Sequence, residues 1–388
     1  MELTELKRTR YSSATLSQEQ GQNLWHTYGN WVDVLFPSPA TEWEWELFSS
    51  GAVGYLPLDH GSFLIIRPRI PIQSIFRMWE IAEGIQLDRP PGDVHVQTLE
   101  DSLDWIAAEL SNGVLRRLGQ GLYRTYVNEA DELPVVRGRV DLRAALQRPW
   151  RVALPCEFQE LTTNITDNQI LLAGLLASSY TARKAATLSA LRKSWWLCLR
   201  SGVTPRVVSA SDCVGRSYNR LNSDYERLHW LCHFVLSGTV PTHTEGLAKL
   251  QAFVIQMPRL FERFVAAWLL RNLPSSLRCE RQKHLPLDQH LEFIADLVIT
   301  GSDKAPIAVL DTKYKVDLEP SPADIGQVVA YAQHLGCHDA VLVYPSRDHR
   351  TIDIPIGDIR VRSLAYPLDG DLDAAGKKLI VDLHLGWN

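Results

Sequence analysis

The sequence predicts a protein of the α/β class (α+β overall), in which a mixed β-rich and helical N-terminal region precedes a C-terminal domain with a mixed central sheet. Two observations lead to this prediction. Residues 257–344 follow the order helix, three strands, helix, strand. The chain before them combines strand-like runs with a long amphipathic helix over 99–118, whose apolar residues fall on one stripe. With 388 residues, the chain is long enough for two or three domains.

Three domains are predicted, at 1–95, 96–245 and 246–388. The first is β-rich: strands at 51–58 and 62–70 form a hairpin, and a short helix over 74–82 follows. The second is mixed and mainly helical, and it is the region expected to bind a partner. Its predicted strands are 121–128, 133–141 and 150–158, and its predicted helices are 99–118, 165–200 and 219–236. A polar loop at 237–245 separates it from the last domain.

The last domain holds the residues of chemical interest. Its predicted elements are a helix at 257–271, strands at 277–285, 291–300 and 306–315, a helix opened by the capping box Ser321-Pro322-Ala323-Asp324, and a buried strand at 340–344. Glu262 lies off the centre of the apolar stripe of the first helix. Gln327 and Tyr331 are four residues apart on the second helix and therefore share a face.

Composition excludes several classes of protein. A net charge of −5 argues against a generally basic nucleic-acid binder, so any DNA contact must be a local patch. The six cysteines form no C-x-x-C pair, which is typical of reduced thiols in a cytosolic protein. The N-terminal residues lack the features of a signal peptide, and no uncharged stretch is long enough to cross a bilayer. We therefore expect a cytoplasmic location.

The hairpin at 291–315 carries the strongest functional signal. Folding it about the Asp303–Lys304 bond places Asp296 opposite Asp311, and Lys313 shares a face with Asp311 because side chains alternate along a strand. Two carboxylates facing each other across a sheet repel. A divalent cation between them, with an ammonium alongside, relieves that repulsion. This arrangement is typical of a metal-dependent phosphodiester hydrolase.

An ordinary structural explanation exists for the same residues, because a single D-x-K is usually a pair of solvated edge residues. That explanation is weakened here because Asp296 and Asp311 interrupt runs that are otherwise apolar. Burying an unpaired carboxylate costs several kcal/mol, which is on the order of a whole domain's stability. The sequence therefore favours a metal site.

The order and spacing of these residues resemble the PD-(D/E)XK nucleases. In that resemblance Asp296 is the first acid, Asp311 and Lys313 are the D-x-K, and Glu262 is the acid of the first helix. Gln327 and Tyr331 match the Q-x-x-x-Y element of RecB-like branches, whereas Ala295 stands where proline is usual. The resemblance implies a site for Mg²⁺, or alternatively Mn²⁺. The metal ligands it implies are Asp296, Asp311, Thr312 and Glu262.

A wider resemblance covers residues 50–345. The segments 54–84, 137–146, 160–175, 258–265 and 309–315 are similar to the McrC family, the nuclease subunit of McrBC-type modification-dependent restriction systems. The resemblance implies a DNA endonuclease subunit that works with a hexameric AAA+ GTPase, McrB, and stimulates its GTP hydrolysis. It also implies cleavage of double-stranded DNA containing methylcytosine, with the modified base read by the partner.

Two further observations agree with this expectation. No G-x-x-x-x-G-K-[ST] motif occurs in the sequence, so nucleotide-driven motion must come from another chain. No acidic residue lies between Asp167 and Asp212, while that stretch holds six basic residues: Arg183, Lys184, Arg192, Lys193, Arg200 and Arg206. Such a run contacts phosphates or an acidic partner, or it is a solvated helix face. A second basic group, Arg137, Arg139 and Arg143, more plausibly faces the partner than the catalytic site.

Two other functions are compatible with the sequence. The chain is either a non-catalytic adaptor of an AAA+ NTPase, whose nuclease domain survives only as a scaffold, or a stand-alone RecB-like DNA repair nuclease. The intact set of Asp296, Asp311 and Lys313 argues against the adaptor. Cleavage of DNA without any NTPase would favour the repair nuclease.

Overall fold

A computed structural model describes residues 1–59, 62–84, 98–148, 150–240, 252–288, 291–315 and 319–384. The chain forms two compact units: Met1–Leu99 together with Pro241–Asn388, and Glu100–Val240. The first and last of the three predicted domains therefore belong to one compact unit. The division of the chain into three domains stays a prediction.

Ten α-helices and seventeen strands occur in the described residues. The helices are α1 Gln18–Tyr28, α2 Ile72–Glu83, α3 Leu99–Gln120, α4 Leu142–Gln147, α5 Thr166–Thr181, α6 Ala185–Arg200, α7 Asp224–Gly238, α8 Met257–Asn272, α9 Pro322–Leu335 and α10 Leu372–His384. The first nine strands are β1 Glu2–Thr4, β2 Thr9–Tyr11, β3 Asp33–Leu35, β4 Trp45–Phe48, β5 Ala52–Asp59, β6 Ser62–Arg67, β7 Thr125–Leu133, β8 Arg139–Val140 and β9 Leu154–Thr162. The other eight are β10 Thr239–Val240, β11 Ala252–Gln256, β12 Arg278–Pro286, β13 Glu292–Thr300, β14 Pro306–Thr312, β15 Asp339–Tyr344, β16 Asp353–Ile356 and β17 Ile359–Ala365.

The larger unit is built on a six-stranded mixed sheet in the order β12-β13-β14-β15-β17-β16. Strands β12, β13 and β14 are antiparallel neighbours, whereas β14, β15 and β17 run parallel. The crossover from β14 to β15 passes through α9, since parallel neighbours require such a connection. Val309, Leu342 and Val361 of this sheet pack with Val328 and Ala332 of α9 in a fully buried core.

The same unit contains two smaller sheets. One is β2-β4-β3, and in the other the N-terminal strands β1, β6 and β5 are followed by β11 in that order. The predicted hairpin of the first domain is present as β5 and β6. Gly54 of β5 lies so close to β11 that a side chain there would meet the carbonyl oxygen of Phe253. The polypeptide just before α8 is therefore packed directly on the N-terminal hairpin.

The second unit contains helices α5, α6 and α7 and the three-stranded sheet β7-β9-β8. The single helical run predicted over 165–200 is two helices, α5 and α6, because residues 182–184 leave the helix between them. The strand predicted over 133–141 is reduced to Arg139–Val140. No helix in the described residues is long and apolar enough to span a membrane.

Candidate active site

The hairpin of β13 and β14 brings the two predicted acids together. Val298 pairs with Val309 and Leu297 with Leu310, so the next position along both strands holds Asp296 and Asp311. Both acids also belong to the middle of the sheet, with β12 on one side and β15 on the other. The Asp296 carboxylate accepts hydrogen bonds from the backbone N–H and the hydroxyl of Thr312, at 2.9 and 3.0 Å.

Asp311 is the more unusual of the two carboxyl groups, because only 2% of its surface is exposed. Burial, assisted by the negative charge of Asp296, raises the pKa of Asp311 to about 7. The Lys313 ammonium opposes this shift from 2.6 Å, the distance between its Nζ and Asp311 Oδ2. That contact is an ion pair without a well-aligned hydrogen bond, and no other described residue donates to Oδ2. An additional positive charge nearby would therefore stabilise the ionised form of Asp311.

Three acceptors surround the Lys313 ammonium. Besides Asp311 Oδ2, they are Gln327 Oε1 at 3.0 Å and Asp324 Oδ1 at 3.5 Å. The Gln327 amide donates in turn to the hydroxyl of Tyr331, at 2.6 Å. The predicted Gln327 and Tyr331 therefore reach the acidic pair through Lys313, because one helical turn places them on the same face of α9.

Asp324 is a residue of this site that the sequence analysis assigned only to helix capping. Its carboxylate accepts hydrogen bonds from the N–H and hydroxyl of Ser321, and it pairs with Lys315. Partial burial acts to raise the pKa of Asp324, but hydrogen bonds from Lys315 and Ser321 outweigh burial and hold the pKa at about 2. Asp324 is therefore a permanent negative charge beside Lys313 over the physiological pH range. In the sequence, the capping box alone accounts for Asp324, so no pattern there indicates its second contact, with Lys313.

Glu262 approaches the site from α8. The side-chain amide of Gln282 in β12 donates a hydrogen bond to its carboxylate. Burial and then the charge of Asp296 raise the pKa of Glu262. Gln282 has a positive φ of 48° and interrupts the pairing of β12 with β13 between Arg281 and Lys283. Its position in β12 is therefore opposite Asp296 of β13. Gln282 was not predicted as a site residue, because nothing in the local sequence pattern indicates an irregular residue there.

The fit of these residues to a divalent cation can be judged from their chemistry. The described part of the chain contains no cluster of three or more His, Cys, Asp or Glu side chains in position to hold a metal. Two of the acids nevertheless have raised pKa values, and in both cases the charge of Asp296 contributes. Carboxylate oxygens are hard donors, and a nearby cation would stabilise their ionised form. Both properties suit Mg²⁺ or Mn²⁺. The donor set fits, while Asp296, Asp311, Thr312 and Glu262 as ligands stay a prediction.

The buried side of the site contacts Glu5, the residue that follows strand β1. Tyr314 follows Lys313, and its hydroxyl donates to the buried Glu5 carboxylate at 2.8 Å. The backbone N–H of Arg69 donates to the same oxygen at 2.8 Å. Burial raises the pKa of Glu5 to about 7. This contact links residues 309 positions apart, and the sequence analysis did not anticipate it.

The two basic groups predicted elsewhere lie in the second unit, at 100–240. Arg137 pairs with Glu160 at 3.2 Å, and its guanidinium lies 4.2 Å from the centre of the Phe158 ring. Arg139 and Arg143 are exposed. In the basic run at 183–206, two residues lie just before α6, three lie on α6 and one lies in the loop after it: Arg183 and Lys184; Arg192, Lys193 and Arg200; and Arg206.

This chain is similar to a known protein family and to solved structures. The family model described as McrBC 5-methylcytosine restriction system component matches residues 49–345. No match was found among curated proteins. A solved structure of Thermococcus gammatolerans McrB AAA+ hexamers with bound McrC is similar to this chain, with a TM-score of 0.62 and 17% identity over 99% of both chains. A second structure, the Thermococcus gammatolerans McrBC complex, matches with a TM-score of 0.44 and 18% identity, over 71% of this chain and 88% of that one.

The family match covers far more than half of the chain and includes every residue of the candidate site. The structural match at a TM-score of 0.62 extends the likeness of fold to both ends of the chain. This chain therefore belongs to the McrBC 5-methylcytosine restriction system component family.

Proposed function

We propose that this chain is a Mg²⁺-dependent DNA endonuclease subunit of a McrBC-like restriction system, in which Mn²⁺ can replace Mg²⁺. It cleaves methylcytosine-containing double-stranded DNA together with a hexameric AAA+ GTPase partner and stimulates the partner's GTP hydrolysis. One observation carries the nuclease part of the proposal. Asp296 and Asp311 occupy neighbouring positions on paired strands of a buried sheet, and the Lys313 ammonium lies 2.6 Å from Asp311. Membership of the restriction family supports DNA as the substrate.

The chemistry divides between the acids and the lysine. A bound divalent cation would activate water and offset the negative charge that develops on the scissile phosphate. Asp311, Asp296 and Glu262 would hold that cation, and each carboxylate must be deprotonated to do so. Lys313 places a positive charge beside Asp311, where it can orient a phosphate oxygen or a water molecule. Gln327 and Asp324 keep the ammonium in place through contacts of 3.0 and 3.5 Å.

The partner part of the proposal is supported by an exposed apolar segment of the second unit. Between β7 and β9, six large apolar side chains are 54–90% exposed: Val135, Val136, Leu142, Leu146, Trp150 and Val152. Exposed apolar groups in such number mark a surface that another protein covers. The similar Thermococcus gammatolerans structure contains McrC bound to McrB AAA+ hexamers. We infer that this segment contacts the AAA+ partner.

Separate substitutions test the nuclease proposal. Asp311→Ala or Lys313→Ala is expected to abolish Mg²⁺-dependent cleavage of a methylated plasmid, while binding of the partner and stimulation of its GTPase remain. Asp358→Ala is the matched control, because it removes an exposed carboxylate from the turn between β16 and β17 of the same sheet. Cleavage that survives either active-site substitution would refute the proposal. Loss of cleavage and GTPase stimulation together in a folded variant would contradict the separation of the two activities.

A non-catalytic adaptor remains the second candidate function, and one observation favours it: no ready-made cluster of three metal-binding side chains occurs in the described residues. Calorimetric titration with Mg²⁺ or Mn²⁺ separates the two candidates. The nuclease proposal requires binding that disappears in Asp296→Ala. Absence of such binding, together with intact stimulation of the GTPase, would establish the adaptor.

A further inference from the structure

Helix α6 of the second unit carries a basic stripe along its exposed face. Successive residues of an α-helix are rotated by about 100°, so residues three, four, seven, eight and eleven apart align within a single face. The exposed side chains of α6 follow this spacing, and none of them is acidic. We define the α6 basic face by four of them: Arg192, Lys193, Trp196 and Arg200.

The opposite face of α6 is buried in the second unit. Thr187, Leu191, Ser194 and Cys198 are buried, and the Ser194 hydroxyl donates to the carbonyl oxygen of Ser111 in α3 at 3.2 Å. Within the described residues, one face of α6 is therefore packed and the other is exposed to solvent. Substitutions on the α6 basic face are therefore expected to leave the fold intact.

Among the described residues, no carboxylate neutralises the positive charges of the α6 basic face. In the part of the chain that the structure describes, no carboxylate pairs with Arg192, Lys193 or Arg200. Residues 168–211 contain no acidic residue at all. In contrast, Lys184 just before the helix pairs with Asp101 at 3.3 Å. Unpaired cations concentrated on one face of a protein with a net charge of −5 are unusual, because most surface charges are interspersed with the opposite sign.

An aromatic ring supports one of these cations. The Arg200 guanidinium lies 4.7 Å from the centre of the Trp196 ring, and Trp196 is 53% exposed. A cation–π contact of this kind holds the guanidinium in one position without reducing its charge. Arg200 is therefore presented to solvent as an oriented fork of donors, which suits the oxygens of a phosphate group.

We propose that the α6 basic face binds the phosphate backbone of duplex DNA. Arg192 and Arg200 are eight residues apart, which is roughly 12 Å along the helix, and DNA carries one charge per about 1.7 Å of its axis. The face is thus long enough to follow several phosphates. A protein partner is the less suitable occupant, because it would have to supply a carboxylate for each of three cations that have none in the described residues, whereas the DNA backbone presents negative charges at regular intervals. The inference rests on the proposed function for its ligand, DNA, but assigns it to a site outside the nuclease domain.

Salt-dependent binding tests the site directly. Binding of a fluorescent duplex to the full chain is measured by anisotropy in EDTA, between about 50 and 200 mM salt, where every phosphate contact adds about 0.9 to the slope of log affinity against log salt. Arg192→Ala/Lys193→Ala is expected to lower that slope by roughly 2 and to weaken binding by roughly tenfold at the lowest salt. Arg192→Lys/Lys193→Arg, which keeps both charges, is expected to retain the wild-type slope.

Lys377→Ala/Lys378→Ala is the matched control for net charge, since it removes two adjacent exposed lysines of α10. An unchanged slope in the Arg192/Lys193 double alanine variant would overturn the inference, as would an equal fall in the control. Loss of binding to the AAA+ partner with DNA binding unchanged would assign the face to a protein and likewise overturn it. Because EDTA prevents cleavage, the result does not depend on nuclease activity; failure of Asp311→Ala to abolish cleavage would refute only the proposed function.

Discussion

Replacing Asp311 with asparagine is expected to stabilise the metal-free protein while abolishing its nuclease activity. In the folded chain, burial and the charge of Asp296 raise the pKa of Asp311 to about 7, from an ordinary value of 3.8. The folded protein therefore keeps a proton at a pH where the unfolded chain has lost it. The resulting contribution to stability is fully present below the unfolded pKa and is lost as the pH rises through the folded pKa. Asparagine carries no charge at any pH and avoids this loss.

The magnitude follows from the size of the shift. A pKa raised from 3.8 to about 7 corresponds to roughly 4 kcal/mol of stability lost by pH 8. The attraction of the Lys313 ammonium is already included in this shift, because it lowers the pKa of Asp311. The net expectation is that the variant is more stable than the wild type by roughly 4 kcal/mol at pH 8, and that the difference shrinks toward pH 5.

Urea unfolding in EDTA at pH 5 and pH 8 measures the difference, with Asp358→Asn as the control for an exposed carboxylate. Added Mg²⁺ is then expected to stabilise the wild type and not Asp311→Asn, because a cation that binds only the folded state raises its stability. Equal unfolding free energies for the wild type and Asp311→Asn at pH 8 would refute the electrostatic reasoning. Equal stabilisation by Mg²⁺ would refute Asp311 as a ligand.

Three further predictions concern the larger unit. Asp339→Asn breaks the buried ion pair with Arg362, whose Nε lies 3.0 Å from Asp339 Oδ1, and is expected to cost about 3–5 kcal/mol in urea unfolding. Tyr314→Phe removes a donor to the buried Glu5 and is expected to cost about 1–3 kcal/mol and lower the thermal midpoint. Gly54→Ala places a Cβ 1.8 Å from a backbone oxygen of the adjacent strand and is expected to prevent normal folding, as measured by circular dichroism.

Matched controls exist for each of these changes. Asp353→Asn breaks an exposed ion pair of the same sheet, with side chains 43% and 50% exposed, and is expected to cost less than about 1 kcal/mol. Tyr126→Phe alters an exposed tyrosine, and Gly119→Ala adds a Cβ that meets nothing within 4 Å. A change as large in any control as in its partner would show that the buried contact is not the cause.

The sequence was most informative where local geometry decides the outcome. The turn at 301–304 fixes the register of β13 against β14, and that register alone brings residues 296 and 311 to the same level. The capping box at Ser321 fixes the start of α9 and therefore the shared face of Gln327 and Tyr331. These elements were predicted correctly because the controlling residues lie within a few positions of each other.

The wrong or missing predictions concern elements whose structure depends on residues far away in the chain. The run predicted as one helix over 165–200 is broken at 182–184, where the backbone N–H groups of Arg183 and Lys184 donate to Asp104, about 80 positions away in the chain. The strands β16 and β17 and the last helix were not predicted at all. Their pattern alone is weak, and they are stabilised by pairing with β15 and by packing against the sheet.

By itself, the sequence determined the family of this protein, the pairing of two acids on a hairpin, and the lysine that accompanies them. Only the tertiary structure decided how strongly each of these groups is perturbed. The pKa of Asp311 reaches about 7 because residues from several strands and helices exclude water from it, and the N-terminal Glu5 reaches Tyr314 only after two parts of the chain have packed together. Strand register is a local property, whereas burial is a sum over the whole fold, and the electrostatics of the site depend on burial.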